Sequence, residues 1–134
     1  MFRQTAFALG LGLVATAAVA QQAEAPAQAP GGMDAESTYE AARNQLGILK
    51  FCEAEGHSGN EAVVAQEKMV SMLPSGDESK GQAAEQKGAS GTVSIAGTEI
   101  GLAEAAEREG ISVKEQCAQI EAAVNDVAKQ LPAG

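Results

Sequence analysis

The amino-acid sequence predicts an all-α fold: a small bundle of four to five short helices, the first and last antiparallel and joined by a disulfide. Three observations predict it. The pattern S-x-x-E stands where four apolar-periodic runs begin, at Ser37/Glu40, Ser58/Glu61, Ser75/Glu78 and Ser112/Glu115. In that pattern the serine oxygen accepts from the N3 amide while the glutamate reaches back to the cap amide. Apolar residues then recur at steps of three and four, the period of one helix face. Finally, each of the two cysteines falls on such a face, Cys52 near the end of the first run and Cys117 near the start of the last.

The bundle accounts for residues 36–132, read as a single helical domain. Residues 1–20, "MFRQTAFALGLGLVATAAVA", read as a signal peptide: Arg3 gives a positive start, residues 6–19 an apolar core, and Ala18-Val19-Ala20 a small-x-small site for cleavage after Ala20. The apolar run is shorter than the roughly 20 residues that cross a bilayer. The expected location is therefore the periplasm or the medium. Residues 21–35, "QQAEAPAQAPGGMDA", carry almost no large apolar side chain and read as a disordered leader, because they bury too little surface to offset ordering entropy.

The first helix is expected over residues 38–55, with Tyr39, Ala42, Leu46, Leu49 and Cys52 as its stripe and Gly56 as its left-handed terminator. The second spans 60–73, apolar around a wide arc, and stops at "LPSG". A weaker third, polar and Ala-rich, covers 78–87. The glycines of 88–101 break a helix, and "TVSIAGTEI" reads as a short hairpin turning at Ala96-Gly97 or as a loop. A fourth helix begins at "LAEAAERE" and ends at Gly110, with Ile111 folding back on Ala106. The last is expected over 113–131, where Val113, Cys117, Ile120, Val124, Val127 and Leu131 form a seam before Pro132.

An exported chain with two cysteines favours a disulfide. Thirteen residues separate Cys52 from Tyr39, and fourteen separate Cys117 from Leu131. At about 1.5 Å per residue both arms are near 20 Å, so a Cys52–Cys117 bond sets stripe against seam with matched lengths. The chain has no C-x-x-C pattern, and a metal or redox site is not expected. His57, the only histidine, falls in the turn between Gly56 and Ser58. It reads foremost as a turn residue; because imidazole titrates near neutrality, it is also the one candidate for pH sensing.

Loss of residues 1–20 removes one base, Arg3, and no acid, which leaves eight basic against eighteen acidic residues and a net charge of −10. Such a surface repels nucleic acid and, at neutral pH, anionic membranes. No nucleophile elbow, Walker sequence or dinucleotide-binding glycine pattern occurs. Pairs such as Glu53/Glu55 point to different sides of a helix. No catalytic residue, cofactor or metal is expected, and the protein reads as a non-enzyme; the sequence names no partner, a protein or a second copy of the chain being the candidates.

The stretches "ARNQLGILKFCEAEGH" (42–57), "KMVSMLP" (68–74) and "LAEAAEREGISVKEQCAQ" (102–119) resemble small exported proteobacterial proteins of the pore-forming early-secreted-antigenic-target (ESAT) family. The resemblance covers most of 38–132, both cysteines included. It implies action on protein or membrane in the cell envelope and supplies no catalytic or binding residue. A periplasmic acid-stress chaperone is the alternative expectation, since those proteins are also small, helical and single-disulfide.

Overall fold

Ala35 to Ala54, the longest run of regular structure, forms the axis on which the other elements pack. The computed structural model describes residues 34–132; the expected signal peptide and residues 21–33 of the expected leader lie outside them. Five helices and one hairpin follow in order: α1 (Ala35–Ala54), α2 (Asn60–Met72), α3 (Glu78–Ala89), β1 (Thr92–Ile95), β2 (Thr98–Gly101), α4 (Leu102–Glu109) and α5 (Val113–Ala128).

Of the four expected capping boxes, only Ser112/Glu115 forms, with both reciprocal bonds in place. At α1 and α3 aspartates take the cap instead: Asp34 accepts from the Ser37 amide at 2.8 Å and Asp77 from the Lys80 amide at 3.1 Å. A carboxylate at that position both accepts the hydrogen bond and meets the positive end of the helix dipole. At α2 the cap residue is Gly59, whose amide donates to the Glu121 carboxylate of α5 at 3.0 Å. Ser58, one residue earlier, keeps its hydroxyl enclosed without a partner.

The helix ends follow glycine chemistry. Gly56 takes φ 71°, its amide donates to the Glu53 carbonyl and the His57 amide donates to the Cys52 carbonyl at 2.8 Å. The same double bond ends α4, where the Ile111 amide returns to the Ala106 carbonyl at 3.0 Å, as the sequence predicts. Residues 92–101 form the hairpin, with Ile95 paired to Thr98 and positive φ at both Ala96 and Gly97. Positive φ at both central residues matches the twist of the flanking strands.

Two expectations about packing are corrected. The polar third helix runs through Gly88 to Ala89 and is the most extensive neighbour of α1. Glycines make that contact. A methyl group on Gly47 would lie 2.0 Å from the Glu85 carbonyl oxygen, and one on Gly88 would lie 2.1 Å from that of Asn44. The two backbones therefore touch directly, and dispersion between main chains replaces the interlocking of large side chains. The last helix ends at Ala128, not Leu131, and its seam is buried only as far as Val124; Val127 stays 48% exposed. Taken as a whole, α5 packs more on α2 than on α1.

The core is aliphatic and in two parts. Leu46, Leu49, Ala62, Val63 and Val124 form one; Ile48, Cys52, Leu102 and Cys117 form the other, with Ile120 packed against both. As α5 advances from Cys117 to Val124, its partners on α1 recede from Cys52 to Leu46. The first and last helices are thus antiparallel.

Replacing Gly88 by Ala should lower stability by about 2 kcal/mol or more, despite the better helix propensity of alanine, because backbone must move to admit the methyl group. Urea unfolding of the G88A variant checks this; a stability equal to or above that of the parent would contradict the close crossing.

Candidate functional site

Cys52 and Cys117 are fully buried and bonded, with Cα atoms 5.7 Å apart, inside the usual window for an unforced bridge. Among the described residues there is no free cysteine and no grouping of three His, Cys, Asp or Glu side chains. The bridge closes 65 residues, a loop whose restriction in the unfolded chain is worth about 4 kcal/mol in the chain-entropy picture. His57 sits in the turn beside it, half-buried, with its amide spent on the cap of α1. The structure brings the two cysteines together and draws His57 into no cluster.

The bridge joins the end of α1 to the start of α5, with Leu102 of α4 packed beside it; next to it, between α1, the hairpin, α4 and the first turns of α5, lies an open groove of about 580 Å³. Ala41, Ala42, Gln45 and Ile48 of α1 form its floor. Val93 and Ile95 of the hairpin with Leu102 and Ala105 of α4 make one wall, and Gln116 and Ile120 of α5 the other. A shallower hollow of about 300 Å³ continues it, sharing Thr38, Ala42 and Gln45 and reaching Met69 and Leu73 of α2 and Val127 of α5. Ile95, 53% exposed, and Val127 stand on its rims. Ala41, Ala42 and Ala105 are too small to fill the space between their elements, which leaves the groove open.

A single side chain holds the hairpin wall in place. Asn44 is 2% exposed; its amide nitrogen donates to the carbonyls of Ala84 (3.0 Å) and Thr92 (2.9 Å), and its oxygen accepts from the Ser94 amide (2.9 Å). It thus satisfies the outer edge of β1 as a neighbouring strand would. Gln66 does similar work between α2 and α1, donating to the Ala42 carbonyl at 3.0 Å. Sequence reasoning passed over both residues. Asn44 interrupts no apolar period, and the only signal was an amide beside the stripe residues of a helix with its own well-formed cap.

Charge is segregated. On the side of α1 away from the groove, Glu85 of α3 meets Arg43 and Lys50, each at 2.6 Å, and the Arg43 guanidinium lies 5.8 Å from the Tyr39 ring centroid. These partly exposed pairs orient α3 and add little net stability each. Among the described residues, Glu109 is the one charged residue of the groove's lining, and the continuing hollow has none.

Two carboxylates at helix starts are held below the ordinary carboxylate range. The Ser112 amide, and then its hydroxyl, do this at Glu115; the Ser37 amide does it at Asp34. For each, the folded pKa lies below the unfolded value of about 4, so the stabilisation is complete above that value and lost as pH falls through the folded pKa. Thermal unfolding followed by circular dichroism should therefore show stability declining below about pH 4. Glu115→Gln should lower the midpoint at pH 7 and shrink the decline between pH 5 and 2; an unchanged pH dependence would show that the cap carries no linked proton.

No protein-family model, curated protein or solved structure matches the chain.

Proposed function

We propose that this is an exported, non-enzymatic helical module that acts in the cell envelope by contact with a protein or a membrane through the groove on α1. The observation that carries this reading is the groove itself: an unfilled apolar surface, with Ile95 and Val127 exposed on its rims, in an otherwise strongly acidic chain. The charge keeps like-charged copies and anionic surfaces apart, so the uncharged strip is where an apolar partner can approach. The resemblance to the pore-forming ESAT family supports the same class of action.

Among the described residues no helix is long and apolar enough to cross a membrane. Pore formation on this reading therefore requires α5 and α4 to swing away from α1 and present their buried faces, and the Cys52–Cys117 bond opposes that step. Acid favours it by removing the Asp34 and Glu115 caps and most of the negative charge. The same acid response favours a second reading, an acid-stress chaperone that exposes its apolar faces to unfolding clients.

Dye release from liposomes at pH 4.5 and 7, with the bridge intact and reduced, tests the membrane branch. The expected order places pH 4.5 with the bridge reduced highest and pH 7 with the bridge intact lowest. No release in all four conditions ends it, and suppression of client aggregation at acid pH without dye release assigns the groove to the chaperone reading.

A further inference from the structure

We propose that the groove binds a single-chain cationic amphiphile, with the alkyl chain laid along α1 and a hydrogen-bond-donating ammonium head between Glu109 and Gln116. The inference rests on the reading of the groove as the interaction surface and adds what it accepts. Size comes first. The space of about 580 Å³ falls in the range of about 300–1,000 Å³ usual for small-molecule sites with aliphatic walls and a few polar groups. Along α1 it extends from Thr38 to Ile48, about 15 Å at 1.5 Å per residue, and its aliphatic walls suit an alkyl chain laid along that helix.

Polarity selects the head group. Among the described residues, Glu109 is the one charged residue on the lining, and neither hollow presents a lysine or arginine. With 18 acidic against 9 basic residues in the chain, the surrounding field concentrates cations and disfavours a fatty-acid carboxylate. Gln116 on the opposite wall supplies the second contact, since its Oε1 is enclosed with no hydrogen-bond donor. An unpartnered buried acceptor is costly to leave unmade; a turn of the Gln116 amide brings this oxygen to the groove, where an ammonium N–H satisfies it.

Isothermal titration of the full mature protein with three probes below their micelle concentrations tests this: dodecylammonium, dodecyltrimethylammonium, which lacks an N–H, and uncharged dodecyl maltoside. Saturable binding at one site is expected, tightest for dodecylammonium. Glu109→Gln should weaken both cations about fivefold and leave the maltoside unchanged, whereas Glu61→Gln, exposed and outside the groove, should change nothing. Gln116→Leu should weaken dodecylammonium about tenfold and spare dodecyltrimethylammonium. Ala42→Phe and, independently, Ala105→Phe should abolish binding of all three while thermal unfolding confirms that each variant folds.

Equal affinity for the three probes, lost in the phenylalanine variants, overturns the ammonium preference while the groove stands as an interaction surface. Binding that survives both phenylalanine substitutions overturns the site, and binding of no probe overturns the groove reading as well. Sedimentation of the ligand-free protein gives the remaining alternative. A dimer abolished by Ala42→Phe would assign the groove to a second copy of the chain and overturn the proposal.

Discussion

Cys52 and Cys117 join the end of α1 to the beginning of α5 at a point where both side chains are fully buried. Ile48 and Leu102 pack around that point, so the bond sits inside one of the two halves of the core. Beside it the groove opens between α1, the hairpin, α4 and the first turns of α5, and farther along Val124 packs α5 onto Leu46 and Leu49. One covalent attachment, with the small side chains of Ala41, Ala42 and Ala105 beside it, lets a chain with few aromatics and a small core both fold and keep an apolar surface unfilled.

The opposite flank of α1 is built on a different physical basis. Gly47 and Gly88 bring α3 into backbone contact, and Asn44, Gln66 and the Glu85 ion pairs fix its neighbours in register. Little of this depends on large apolar side chains. The outcome is a platform of α1, α3 and the hairpin, on whose other face α5 is held by the bridge, by Val124 in the core and by its packing on α2. Because Asn44 holds β1, the hairpin part of the groove wall is tied to the platform, while α5 on the opposite wall is joined to α1 through the bridge.

Much of this could be read from residue pattern, and the limits have physical causes. The cysteine pairing was legible because each cysteine lies on an apolar stripe at a matching distance from its helix end. The Ser112/Glu115 cap, the turn at Ala96-Gly97 and the return of Ile111 to Ala106 were legible because short-range chemistry determines them. At Ser37, Ser58 and Ser75 the serine pattern failed because Asp34 and Asp77 are better caps close by, and because Glu121 reaches in from another helix. Hydrophobic periodicity undervalues α3, whose fit comes from absent side chains. The groove was hidden for a related reason: Val127 and Leu131 continue the seam in sequence, but α5 has already turned toward α2 and its helix ends at Ala128.

Hydrogen exchange of individual amides, before and after reduction of the Cys52–Cys117 bond under conditions where the chain remains folded, tests most directly whether the bridge secures a tethered arm to a rigid platform. Amides of α4 and α5 should lose protection on reduction, while those of α1, α3 and the hairpin keep theirs. Unchanged protection in α4 and α5, or an equal loss across all the helices, would contradict it.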